Sequence, residues 1–86
     1  MEQVTGRQIV RVGVDLAERV IQVHAVDAAG RVVSARALSR EKFTAWCAQL
    51  PPGCVVAMET CGGAHLWARR LRGMGLQPLL IAVHLV

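Results

Sequence analysis

The sequence predicts an α/β fold built on a mixed sheet, and three observations carry that expectation. Three short Val-rich runs with period-two alternation come first and are joined by tight links. Two segments with helical periodicity follow, each leading into a short, continuously apolar run of the kind a buried parallel strand shows. The composition, 53% hydrophobic with a mean hydropathy of +0.39, argues for a packed core and against a disordered tail.

The first strand is expected over Ile9 to Leu16, with Gly13 inside it, and Ala17-Glu18-Arg19 links it to a second over Val20 to Asp27. Ala28-Ala29-Gly30 is a short connection whose glycine is free to take a positive φ, so a third strand, Arg31 to Leu38, closes a hairpin with the second. Ser39 is placed to cap a helix, with Glu41 in its first turn and Phe43, Trp46, Cys47 and Leu50 forming one apolar stripe. Pro51-Pro52-Gly53 ends that helix, and Cys54 to Met58, closing on Glu59, reads as a fourth strand. Gly62-Gly63 opens a second helix with a core stripe of Ala64, Trp67, Ala68, Leu71 and Met74, while His65, Arg69 and Arg72 share another face. Gly75 is its expected C-cap, and Leu79 to Val83 a fifth strand, apolar on both faces and in need of cover on each. The chain order is therefore β-β-β-α-β-α-β, with an N-terminal extension at 1–8 and one domain over 9–86.

Eighty-six residues allow one small domain or a piece of a larger one, and the apolar fraction is high for so small a unit, which points to an incomplete domain. The net charge of +4 and a pI near 9.8 suit either an ordinary solvated surface or a phosphate-bearing partner. Cys47, Cys54 and Cys61 are odd in number and seven apart, a spacing that fits neither a disulfide framework nor a metal clip, so reduced, mostly buried thiols are expected. The N-terminal stretch has charges among its apolar residues and does not read as a signal peptide, and PLLIAVHLV is too short to span a bilayer. A cytoplasmic protein with no membrane partner is expected.

A right-handed crossover through the first helix can lay the fourth strand beside the first, bringing Asp15 and Glu59 to the carboxyl ends of adjacent parallel strands about 4.8 Å apart. Hard oxygen ligands without nearby paired Cys or His favour Mg²⁺ or Mn²⁺. Position alone leaves a second reading open, in which Asp15 begins a turn and Glu59 caps the following helix.

The segments Val12-Gly13-Val14-Asp15-Leu16-Ala17 and Met58-Glu59-Thr60-Cys61-Gly62-Gly63-Ala64-His65-Leu66-Trp67-Ala68-Arg69 resemble the N-terminal domain of the bridge-RNA-guided insertion-sequence transposases with a DEDD site. The likeness runs from Arg11 onward and includes the Pro-Pro-Gly before the fourth strand and the Leu-Ile-Ala run after the second helix. The resemblance implies an RNase H-like (RuvC-like) fold with Asp15 and Glu59 as catalytic residues, the first D and the E of a four-acid metal site. It also implies a Mg²⁺ or Mn²⁺ cofactor, DNA as substrate, a guide RNA, and a homo-oligomer. The remaining two acids and a serine nucleophile belong, in that family, to later parts of the chain. Ser34 and Ser39 match no nucleophile motif, so this segment is not expected to catalyse by itself.

Gly62, Gly63, His65, Arg69 and Arg72, with Arg70 beside them, are the candidates for nucleic-acid contact: the glycines bare a helix N-terminus, and the arginines carry charge suited to phosphate. Their ordinary alternatives are a tight turn and a solvated helix face. His24 and His84 stand isolated and are assigned no role, and Glu18 is a minor candidate because it lies close to Asp15. Two further readings remain: a non-catalytic remnant that binds nucleic acid or the full-length transposase, and a fragment of an actin-like or sugar-kinase ATPase. The second suffers because Asp15-Leu16-Ala17-Glu18-Arg19 lacks the Gly and hydroxyl residues that hold ATP phosphates in that fold, and Glu18 would repel them.

Overall fold

Alternation sets the strands. The computed structural model describes residues 8–17 and 19–82, and within them the alternating runs form strands and the segments of helical period form helices: β1 (Arg11–Leu16), β2 (Ile21–Val26), β3 (Val32–Leu38), α1 (Arg40–Cys47), β4 (Val55–Glu59), α2 (Ala64–Gly73) and β5 (Gln77–Ile81). Residues 1–7 of the expected extension, together with Glu18, Val83 and His84, lie outside the described residues. Along the chain the elements run β-β-β-α-β-α-β. Across the sheet the strands lie in a different order, β3-β2-β1-β4-β5, with β1 antiparallel to β2 and parallel to β4.

Local chemistry explains the joints. Between β2 and β3, Gly30 N–H donates to the Asp27 carbonyl at 2.9 Å, and Gly30 takes φ +83°, the left-handed conformation that a side chain opposes. The Asp27 carboxylate, only 2% exposed, accepts from the backbone N–H of Ala29 and of Arg31 at 2.9 and 3.0 Å, so this turn residue is also a buried pin of the hairpin. Ser39 caps α1, its Oγ accepting from Lys42 N–H at 3.2 Å. At the other end of α2, Leu76 N–H reaches the Leu71 carbonyl and Gly75 N–H that of Arg72, with Gly75 at φ +84°. That is a Schellman closure, and it places Gly75 one residue past the cap position, which Met74 holds.

Strands β1 to β4 start one or two residues later than expected and β2 also ends one earlier; two other boundaries, at α1 and β5, differ for a physical reason. The regular part of α1 stops at Cys47, and Gln49 and Leu50 turn more tightly, their N–H groups donating three residues back to Trp46 and Cys47. β5 begins at Gln77, so Pro78 sits inside a strand. It is tolerated because β5 is an edge: Gln77 N–H bonds to the Cys54 carbonyl and the Ile81 carbonyl accepts from Thr60. The missing N–H of Pro78 therefore falls on the outer side, where no further strand follows among the described residues.

The path from β3 to β4 and the path from β4 to β5 step across the sheet in the same direction, and right-handed crossovers in one direction put their helices on one face. The packing agrees. Val12, Val14, Ile21, Val23, Ala25, Val56 and Met58 point to the helix side and are at most 6% exposed. Phe43 of α1 and Trp67 of α2 meet edge to face, centroids 5.0 Å apart at 77°, and fasten the helices to each other above that floor. The fifth strand, expected to need cover on both faces, has it on one among the described residues: Leu80 is partly buried toward the helices, whereas Leu79 and Ile81 stand 51% and 45% exposed on the other face. Among the described residues no helix is long and apolar enough to cross a membrane.

Candidate functional site

With Val12 and Val14 turned toward the helices, the alternate residues of β1, Arg11, Gly13 and Asp15, project from the helix-free face. In β4, Val56 and Met58 are buried and Glu59 is exposed on that same face. The parallel register pairs Val14 with Met58, so the next step along both strands sets Asp15 beside Glu59 at their carboxyl ends. The spacing between adjacent strands is about 4.8 Å, close enough for both carboxylates to reach one cation. Among the described residues neither carboxylate has a hydrogen-bond or ion-pair partner. Glu59 does not cap α2: the N-cap is Gly63, and no side chain bonds the helix start. The site is open, two-acid and hard in its donor chemistry, which suits Mg²⁺ or Mn²⁺ better than a soft metal. Among the described residues no group of three or more His, Cys, Asp or Glu converges, so these two acids would be a partial ligand set.

The other candidate residues are distributed differently. Gly62 and Gly63 follow Glu59 at the carboxyl edge, where they line a cleft of about 270 Å³ with Leu16, Arg40, Cys61 and Trp67. Neither glycine has a positive φ, and a Cβ would meet nothing within 4 Å at Gly62 and only Trp67 Cδ1 at 3.9 Å at Gly63. Both nonetheless sit at the centre of a tight turn, in which Ala64 N–H donates to the Cys61 carbonyl at 3.0 Å, so the tight-turn explanation holds, though the turn does not require glycine at either position. His65, Arg69 and Arg72 are exposed along one flank of α2, whose buried side is Ala64, Trp67, Ala68 and Leu71. Because α2 lies on the helix side, the sheet stands between this basic flank and the carboxylates. Arg70 is engaged within the helix layer, its guanidinium stacked over Trp67 at 5.1 Å.

One residue set aside in the sequence reading sits next to the acids. The β1–β2 register pairs Asp15 with Gln22 and Gly13 with His24, and Gly13, Val14, Asp15, Gln22 and His24 line a shallow trough of about 480 Å³. The signal was present: a short link between two alternating strands fixes their register, and alternation then puts Gln22 and His24 on the face of Asp15. Of the thiols, Cys47 and Cys54 are buried and Cys61 is exposed. Burial pushes Cys47 up to about 12, with Cys54 adding to the effect, and raises Cys54 as well, so neither buried thiol is a nucleophile near neutrality.

In sequence, the chain is similar to part of several transposases. The chain is 51% identical over 76 residues to a "Probable family 20 transposase" of Pseudomonas aeruginosa, covering 88% of the chain and 22% of that relative. It is 43% identical over 70 residues to the transposase for insertion sequence element IS1111A of Coxiella burnetii, covering 81% of the chain and 19% of the relative. To the transposase for insertion sequence element IS1328 of Yersinia enterocolitica it is 36% identical over 75 residues, 87% of the chain and 22% of the relative. The chain thus spans about a fifth of the length of these curated relatives. No family profile matches it, and no solved structure does.

Proposed function

We propose that this chain is the N-terminal portion of the catalytic domain of an insertion-sequence transposase, RNase H-like (RuvC-like) in fold. Asp15 and Glu59 are the first two acidic ligands of its DEDD metal site. The observation that carries the reading is the juxtaposition of these two carboxylates, without partners among the described residues, at the ends of adjacent parallel strands, on the face that neither α1 nor α2 covers. The strand order β3-β2-β1-β4-β5 and the similarity to transposases of insertion sequences support it.

Asp15 and Glu59 would hold Mg²⁺ or Mn²⁺, which, when bound, supplies activation of an attacking oxygen and stabilisation of a leaving one in phosphoryl transfer. The chain's own part is to fix the spacing of the two carboxylates. β1 and β4 are central strands, hydrogen-bonded on both edges and backed by the core, so neither acid can drift relative to the other. The remaining ligands and the serine nucleophile come from other parts of the complete enzyme, and the segment by itself does not exchange strands. DNA is the substrate, a guide RNA the partner that selects it, and a homo-oligomer the working assembly; these three follow from the resemblance.

The test uses a full-length transposase carrying this segment. Asp15→Asn and Glu59→Gln should each remove metal-dependent DNA cleavage while melting temperature and circular dichroism measured in EDTA stay at the parent values. Full cleavage activity in either variant sinks the assignment.

A further inference from the structure

Gly13 is a residue the fold does not need. It sits in the middle of a central strand, its φ is outside the left-handed range, and a Cβ built there would meet nothing within 4 Å. Glycine in a strand interior weakens the strand, because it loses more backbone freedom on folding and offers no side chain to pack. A strand that carries this cost without a steric reason is one whose bare backbone something else approaches. Around Gly13 the structure gathers hydrogen-bond donors: His24 directly across the antiparallel pair, Gln22 one step on beside Asp15, and Arg11 two residues back on the same face.

We propose that this trough, floored by Gly13 and walled by His24 and Gln22, seats the phosphodiester backbone of a nucleic-acid strand and leads it to the Asp15–Glu59 pair. The imidazole of His24 and the amide of Gln22 donate to phosphate oxygens, and Arg11 supplies positive charge where the strand enters. The trough is shallow and open along the sheet rather than enclosed, which suits a chain passing through rather than a small molecule held within. The inference rests on the metal-ligand reading in one respect: Asp15 repels phosphate unless a divalent cation bridges the two, so binding here is divalent-dependent. It assigns the path of the nucleic acid to the open face of the sheet, and not to the basic flank of α2, where His65, Arg69 and Arg72 stand on the far side.

The experiment is an NMR titration of the isotope-labelled 86-residue chain in Mg²⁺ with a short single-stranded DNA, and in parallel with an RNA of the same sequence. Amide shifts should move at Gly13, Gln22 and His24, and the tighter-binding of the two strands identifies the source of the phosphodiester. His24→Ala and Gly13→Val should each weaken binding about tenfold, the scale of one lost hydrogen bond to a charged group or of a blocked approach. Gly13→Val should leave the melting temperature equal to the parent's or raise it, a combination that a merely structural glycine would not give. Shifts confined to His65, Arg69 and Arg72, or unchanged affinity in both variants, overturn the proposal. A separate Mn²⁺ titration without nucleic acid reads the metal site: line broadening at Asp15 and Glu59 with no trough shifts on adding a strand overturns the trough alone. Trough shifts that persist in EDTA, with no such broadening, overturn the metal assignment instead.

Discussion

If Asp15 and Glu59 jointly bind a divalent cation, that binding should appear as folding stability in this chain, and Asp15→Asn should abolish it. A ligand that binds only the folded state adds RT ln(1 + [L]/Kd), so Mn²⁺ or Mg²⁺ at ten times its dissociation constant adds about 1.4 kcal/mol. A chain of 86 residues has an unfolding entropy near about 0.18 kcal/mol/K, so the melting temperature should rise by about 8 °C. The side chain of Asp15 is exposed and makes no contact that holds the fold, so Asp15→Asn in EDTA should change stability by no more than about 0.5 kcal/mol. The assay is thermal unfolding followed by circular dichroism, with parent and variant each in EDTA and across a divalent titration. A parent melting curve indifferent to divalent cations, or a variant that gains as much as the parent, refutes the pairing of these two acids at a metal.

Two further predictions concern the scaffold that holds the acids in place. Phe43 is fully buried and braces Trp67 edge to face, so Phe43→Ala should destabilise the fold by about 3–5 kcal/mol in urea unfolding, a large share of what a domain this small possesses; a loss below about 1 kcal/mol would contradict the packing. Stability should also fall in alkali: the Cys47 thiol is pushed up to about 12 from an ordinary 9.0, so the folded state keeps a proton that the unfolded chain gives up. The contribution is complete below about pH 9 and is lost as the pH rises toward 12, at no more than about 1.4 kcal/mol per unit, and Cys47→Ala should flatten that slope in urea midpoints measured across the window.

Much of this molecule was legible along the chain because its signals are local. Alternation in Val12, Val14, Ile21, Val23 and Ala25 marks which side chains go inward, Ser39 and Gly75 punctuate the helices, and Gly30 supplies the positive φ that the hairpin turn requires. The juxtaposition of Asp15 and Glu59 was also within reach, since the short β1–β2–β3 links and a right-handed crossover leave β4 little choice but to lie beside β1. The start of β5 was not, because Pro78 reads as a breaker until one knows that the strand is an edge and that its missing N–H faces outward.

What the sequence by itself determined is the set of elements and the two acids at strand ends, since period, caps and turn chemistry depend on neighbours a few residues away. Only the tertiary structure decided on which side of the sheet the helices and their candidate residues lie. Crossovers of one hand and one direction put both helices on one face. His65, Arg69 and Arg72, expected from their helix face and charge as candidates for nucleic-acid contact, thereby lie on α2, on the side of the sheet opposite to Asp15 and Glu59. The β1–β2 register, by contrast, brings His24, which looks isolated along the chain, into the trough beside Asp15, and alternation with a short link already carried that signal.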